Sequence, residues 1–151
     1  MAKSQGEATN RLDDKGRLAI PPGMRMELRG QDGRPPVVTR LLDVQALGLY
    51  PAERWLEFKR RIQTMSEWDP NVQKMRRMVV AGATEAPLDA QGRVLIPAHL
   101  RDYAGLDKDV SVLDTGMCFE IWDHARFQQE LQSIQLQSQS VAQAVGGVRN
   151  P

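Results

Sequence analysis

Two stretches of this chain carry the same chemistry-bearing residues at the same spacing. Residues 12–25 read LDDKGRLAIPPGMR and residues 88–101 read LDAQGRVLIPAHLR, identical at seven of fourteen positions, where roughly one match is expected from average composition. In each, an Asp stands four residues before an Arg: Asp13 before Arg17, and Asp89 before Arg93. Asp-x-x-Gly suits a type I turn, with Asp at its first position and Gly at its last. Each Arg therefore follows a tight turn at the start of a strand, where it can project from the sheet end with its stem braced. Its planar fork matches a phosphate, or the O6/N7 edge of guanine, through two parallel bonds. The Asp can hold the turn through the backbone, orient the Arg, or do both, and a hairpin turn wants Asp and Gly in any case. No turn requires the Arg, which is either a reader of a ligand or a salt-bridge partner inside its own module. Arg11 and Lys15 are the other cations near the first turn. Lys3 and Arg25 are candidates for phosphate contacts, and Arg25 is equally readable as a solvated helix residue.

Other chemistry is thinly represented. His99 and His124 have no Cys or His partner at ligand spacing, so no metal site is expected. The single cysteine, Cys118, excludes an intramolecular disulfide framework and a cysteine-based zinc site, and its place beside Phe119 in a β-prone segment reads as core. No Ser-His-Asp or Cys-His arrangement and no Gly-rich phosphate loop can be drawn. The expectation is no catalytic residue, no cofactor and no small-molecule substrate.

The repeated motif sits inside a longer repeat. LYPAERW (49–55) matches IWDHARF (121–127) at a slightly smaller offset, which places extra residues of the first copy in the turn-rich stretch 30–36. The chain is then two copies of one module of about 50 residues. Each module reads strand, turn, strand, short helix, strand, strand, helix. The first predicts strands at 8–12 and 17–20, a turn at 13–16, a helix opened by Pro21 and Pro22, and strands at 37–42 and 48–50. The second predicts strands at 84–88 and 93–96 around a turn at 89–92, a helix at 98–104, and strands at 110–113 and 118–122. Strands this short cannot bury a core within one hairpin layer, so the two modules are expected to interlock and share a core. The divisions are a first module at 7–54, a helical linker at 55–82, a second module at 83–126 and a C-terminal segment at 127–151.

Trp55, Phe58, Ile62 and Met65 lie at helical spacing over 52–65, a stripe that reads as core or subunit interface. Asp69 and Pro70 open a second linker helix that carries Val72, Met75, Met78 and Val79 and ends at Gly82. Arg76 and Arg77 on it either line a subunit contact or face water. A last helix after Asp123 carries Phe127, Leu131 and Ile134, then dissolves into Gln/Ser-rich residues with a frayed tail from about Val145.

The chain has 151 residues, 41% hydrophobic and 26% charged, with eight aromatic residues. That mix is globular, and so few aromatics favour small cores. No apolar run approaches the roughly 20 residues that span a bilayer, and Lys3, Glu7 and Arg11 interrupt any signal-peptide core. The expected setting is the cytoplasm. Net charge is +1, but residues 1–82 sum to +5 and residues 83–151 to −4 by count along the sequence. Such an asymmetry can focus an anionic ligand on one end, orient head-to-tail packing of subunits, or be idle.

The paired Asp-x-x-x-Arg turns resemble the MraZ proteins, bacterial regulators built from tandem SpoVT-AbrB modules. The hydrophobic-Ile-Pro segment after each turn, the module length and the linker EWDPNVQKMRRMVVAGATE are similar too. The resemblance covers roughly residues 6–130. It implies a mixed β fold with peripheral helices, in which the two modules form a double-split β-barrel. It also implies sequence-specific binding to double-stranded DNA at tandem G-containing direct repeats, upstream of the division and cell-wall gene cluster, usually as a repressor of the protein's own operon. A ring-shaped homo-oligomer and association with the nucleoid come with it. On this reading Arg17 contacts DNA with Asp13 as its motif partner, and Arg93 and Asp89 are the second copy. The Gln-rich C-terminal segment departs from the acidic or mixed ends of the family. An oligomeric scaffold that binds no DNA is the competing reading.

Overall fold

The computed structural model describes residues 6–30 and 32–148. Lys3 lies outside them. Eight short strands and six α-helices follow one another as β1 (Glu7–Arg11), β2 (Arg17–Ala19), α1 (Pro22–Arg29), β3 (Val37–Arg40), β4 (Leu47–Tyr50), α2 (Ala52–Gln63), α3 (Pro70–Met75), β5 (Thr84–Glu85), β6 (Arg93–Leu95), α4 (Ala98–Ala104), β7 (Asp109–Asp114), β8 (Phe119–Asp123), α5 (His124–Leu136) and α6 (Ser138–Ala144). A π-helical turn, Arg76–Val80, extends α3.

Every strand finds its decisive partner in the other half of the chain or beside one that does. Six strands form an antiparallel sheet in the order β1-β7-β8-β4-β3-β5, and β2 pairs only with β6. Exchanging the halves (β1 for β5, β2 for β6, β3 for β7, β4 for β8) returns the same order reversed, which is an approximate two-fold. Its axis passes where equivalent residues face each other: Leu18 opposite Val94 in the ribbon and Gly48 opposite Glu120 in the sheet. Both Leu18 and Val94 are fully buried. The main core draws Leu18, Ile20, Met24 and Leu49 from the first half and Val94, Ile96, Leu100 and Ile121 from the second. Few aromatics thus produce one shared core with two satellites, rather than one core per module. At about 2–5 kcal/mol for truncating a buried Leu, removal of Leu18 alone would spend a large part of an ordinary domain's stability.

The linker helices cover one face of this body. Trp55 stacks on Phe58 (5.4 Å between ring centres) and tilts against Tyr50 (5.8 Å), packing with Val37 and Val79. Ile62 is buried, whereas Met65 lies beyond the end of α2 and is exposed. Asp69 caps α3 by accepting the Asn71 N–H at 2.8 Å. The π-helical turn is served by β3: Thr39 Oγ1 donates to the Val79 carbonyl at 2.5 Å and Arg40 Nη1 to that of Met78 at 3.3 Å.

Two expectations are corrected. The strand predicted at 84–88 is only Thr84–Glu85, because Pro87 has no N–H to continue the ladder and the Ala86 N–H goes to the Pro36 carbonyl (2.8 Å). The Gln/Ser-rich stretch does not dissolve: Ser138–Ala144 is helical.

The two hairpin glycines, Gly16 (φ +84°) and Gly92 (φ +75°), lie in the left-handed region, and each lies under an arginine from the other half. A methyl group on Gly92 would overlap Arg25 Nε and Cζ, and one on Gly16 would sit 3.0 Å from Arg101 Cζ. Arg25 Nε donates to the Ile20 carbonyl at 2.8 Å. Arg25 is thus a cross-module brace rather than a solvated side chain. Gly92→Ala should cost about 1–2 kcal/mol for backbone conformation alone, and more for the overlap. In an Arg25→Ala background the same change should cost less, with a coupling of about 0.5–3 kcal/mol in a urea-denaturation double-mutant cycle; strict additivity would mean that the brace is not formed.

Candidate nucleic-acid interface

The carboxylate of each motif Asp accepts three hydrogen bonds, and all three serve the same hairpin. Asp13 Oδ1 accepts the N–H groups of Lys15 and Arg17, both at 2.9 Å, while Oδ2 accepts Arg17 Nε at 2.7 Å. Asp89 repeats this with Gln91 N–H, Arg93 N–H and Arg93 Nε, each at 2.9 Å. Local chemistry explains the geometry. An Asx side chain can substitute for a backbone carbonyl in a turn, Gly supplies the positive φ at the last position, and the Asp13 carbonyl accepts the Gly16 N–H at 3.0 Å. The choice between turn-former and Arg-positioner is therefore resolved: each Asp does both.

Pairing of β2 with β6 brings the two turns together. The ribbon sets Arg17 opposite Leu95 and Ala19 opposite Arg93, and Ile20 N–H to Gly92 O (3.0 Å) and Ile96 N–H to Gly16 O (2.8 Å) extend it reciprocally. Leu18 and Val94 point into the core, so period-2 alternation turns Arg17, Ala19, Arg93 and Leu95 outward. Arg17 and Arg93 are part-exposed at 35% and 29%. The two differ in what their outer nitrogens do. Arg93 Nη1 lies 3.9 Å from Asp13 Oδ2 and Nη2 donates to Gln91 Oε1 at 3.4 Å. Neither Nη of Arg17 has a partner among the described residues. Once Nε is held by Asp13, the outer edge of its fork is presented to solvent.

Lys15 is exposed at the tip of the first turn, and Arg11 is exposed at the end of β1, opposite Asp109 in the larger sheet. Arg11 is thus carried by the sheet, while the other five predicted residues belong to the ribbon and its turns. Leu95 escapes a reading based on charge: it is 56% exposed on the outward face between the arginines. Its signal was the alternation of Arg93-Val94-Leu95 about a buried Val94. Arg101 escaped as well, although its identity with Arg25 across the repeat marked it; Arg25, read as a phosphate contact or a solvated helix residue, lies over Gly92 instead.

Elsewhere, His99 Nε2 lies 3.4 Å from the Gly82 carbonyl and His124 Nδ1 2.9 Å from Ser111 Oγ. No group of three or more His, Cys, Asp or Glu among the described residues is placed to hold a metal, and no helix among them is long and apolar enough to cross a membrane. Cys118 is buried, and burial pushes its thiol up to about 11. Of the linker cations, Arg77 is exposed while Arg76 is part-buried with an unpartnered Nε.

Comparison with known proteins adds the family. A protein from Thermomicrobium roseum named transcriptional regulator MraZ is 38% identical over 138 residues, covering 91% of this chain and 94% of its own. The chain belongs to the MraZ family. A relative of the same name from Solidesulfovibrio magneticus is 40% identical over 129 residues, and one from Pseudoalteromonas translucida 37% over 127, each match covering 84% of both chains. The family model described as "MraZ protein, putative antitoxin-like" matches residues 79–146. That span includes the second Asp-x-x-x-Arg turn, and the first turn is brought beside it by the ribbon. Fold and family agree on mixed α/β architecture with an antiparallel sheet.

Both Asp carboxyls are held below the usual carboxylate range, chiefly by the Arg N–H two residues beyond each turn's centre and further by the guanidinium. A lowered folded-state value means stabilisation that is present above about pH 3.9, the unfolded value, and is lost as pH falls through the folded one. Carboxyl-carbon NMR titration should therefore give Asp13 and Asp89 midpoints below about 3.9, with Arg17 and Arg93 Nε–H shifts moving only in that acid range. Midpoints at or above the ordinary value would show that the carboxylates do not hold the guanidinium groups in solution.

Proposed function

We propose that this chain is a transcriptional regulator that binds double-stranded DNA through the β2–β6 ribbon, with Arg17 as the base-reading side chain. The observation that carries the reading is the outer edge of Arg17, turned outward and without a partner while Asp13 fixes its inner nitrogen. The name shared by relatives that cover most of this chain supports it. A two-stranded ribbon is one of the two elements a major groove admits. A guanidinium held by Nε retains two Nη donors on one edge, the arrangement needed for guanine O6 and N7. Arg93, Lys15 and Arg11 contact DNA around it, while Asp13 and Asp89 position the two arginines. Leu95 is placed for apolar contact with a thymine methyl.

The finer assignments of this reading concern modules, operator and assembly. Residues 7–54 and 83–126 are tandem SpoVT-AbrB modules closing a double-split β-barrel, and the interlocked strand order supports it. The operator consists of G-containing direct repeats upstream of the protein's own operon in the division and cell-wall cluster, where the protein acts as a repressor on the nucleoid. Assembly into a ring answers a quantitative difficulty. One guanine contact discriminates by about 1–3 kcal/mol, too little for a unique promoter, and a net charge of +1 adds little attraction to the backbone. Several copies on successive repeats make later contacts intramolecular and raise avidity without new contacts.

A pull-down of sheared genomic DNA across a salt series tests the proposal. Wild-type protein should enrich one promoter with repeated G-containing boxes, falling steeply with salt. Arg17→Ala should abolish that enrichment with assembly size unchanged, and Arg93→Ala should weaken it less, since its fork is partly engaged within the protein. No enrichment from assembled wild-type protein would favour the scaffold. Loss of assembly in Arg17→Ala would make that residue structural.

A further inference from the structure

The outward face of the β2–β6 ribbon is nearly two-fold, and one pair of positions spoils the symmetry. The approximate axis passes through Leu18 and Val94 and exchanges Arg17 with Arg93 and Ala19 with Leu95. That face therefore holds two cross-strand pairs, Arg17 opposite Leu95 and Ala19 opposite Arg93. Ile20 is hydrogen-bonded to Gly92, and Ile96 to Gly16. Hydrogen-bonded and non-hydrogen-bonded pairs alternate along an antiparallel ribbon, so both outward pairs are of the second kind, with Cα atoms about 4.5 Å apart. Leu95 thus stands directly beside Arg17.

Duplex DNA has local two-fold axes of its own, and operator symmetry mirrors the symmetry of the protein that reads it. A two-fold ribbon fits the major groove in either direction, its arginines exchanging places. Little in the arginines resists that exchange. Each is held through Nε by its own Asp, and the additional contacts of Arg93, at 3.4 and 3.9 Å, are long. Lys15 and Gln91 are exposed in the turns, and a phosphate contact made from there carries no sequence information. Ala19 and Leu95 differ outright. Ala19 offers a single half-buried methyl group, whereas Leu95 is a branched side chain 56% exposed, the one large apolar group among the four.

We propose that Leu95 sets the direction in which the ribbon reads its DNA box. The inference rests on the ribbon being the DNA-binding element and gives that element a polarity. The thymine C5 methyl is the apolar group that base edges present in the major groove. A separation of about 4.5 Å across the strands, against a rise of about 3.4 Å per base pair, puts that thymine within two base pairs of the guanine read by Arg17. In the reversed orientation Arg93 takes the guanine and Ala19 faces the thymine, where its short side chain leaves the methyl uncovered. Losing such a contact is comparable to one mismatched base pair, so the forward direction is preferred by at least about fivefold.

Directed DNA cleavage by the full-length chain tests it. Asp14 is exposed at the tip of the first turn, and Cys118 is buried, so an iron chelate tethered at Asp14→Cys marks the flank that this turn occupies. The probe is a duplex carrying one box from the promoter that the wild-type protein enriches. With Leu95 present, one flank should be cut at least about five times more strongly than the other. Leu95→Ala should bring the two flanks within about twofold, Leu95→Met should keep the bias, and deoxyuridine in place of the thymine, which removes only the methyl, should abolish it. A bias that survives Leu95→Ala or deoxyuridine would overturn the polarity while leaving the ribbon as the DNA-binding element. So would a box with no thymine within two base pairs of its guanine. Unlocalised cleavage that Arg17→Ala does not change would overturn the ribbon reading itself, and the polarity with it.

Discussion

Neither half of this chain can bury its own apolar face. A three-residue strand such as β2 has one inward side chain, Leu18, and an equally short β6 has Val94. Each becomes core only because the other lies across from it. The same necessity joins β1 to β7 and β4 to β8. Cross-module pairing is the constraint on which the rest depends, since it creates the shared core and fixes the registers. It also brings two turns that are 76 positions apart in sequence to the two ends of one ribbon. The arginine braces follow from it: Arg25 reaches Gly92 and Arg101 reaches Gly16 because pairing places each first helix against the opposite hairpin.

Within each hairpin the work is divided by atom. The carboxylate oxygen Oδ1 closes the turn and Oδ2 holds the guanidinium by Nε. Lysine in place of Arg17 could not be held and presented at once, because its ammonium is a single point of charge. The near-identity of the motifs also hides a difference. Arg93 leans toward Asp13 across the ribbon and toward Gln91, whereas Lys15 at the corresponding place in the first turn offers no acceptor to Arg17. One substitution within the repeat, Lys15 against Gln91, thus separates a guanidinium that is partly occupied from one that is not.

Much of this was legible because it is local or repeated. The two turns, the proline-opened helix α1, the Asp69 cap and the helix over 98–104 all follow from residue types at fixed offsets, and interlocking follows from the shortness of the strands. What escaped depends on contacts between distant parts of the chain. Arg25 read as a phosphate contact or a solvated helix residue, because its partner glycine is in the other half. Leu95 has no charge to single it out, and it is the register of β6, with Val94 inward, that turns it outward. Pro87 carried a readable signal against a long β5, yet symmetry with β1 argued the other way. The helix at 138–144 ran against its composition, and none of its residues is buried.

The departures from two-fold symmetry are where the two halves acquire separate tasks. A perfect duplication would present two equal forks on the ribbon and two equal helices behind it. Instead the helix after β4 leads on into the linker to the second half, and its Ile62 is buried. In the helix after β8 the same residue in the repeat, Ile134, is 43% exposed. Equivalent positions of the repeat are thus buried on the first helix and open on the second. The two asymmetries have separate causes: at the turns a single side chain differs, Lys15 against Gln91, while behind the sheet identical isoleucines, Ile62 and Ile134, differ in how far they are buried.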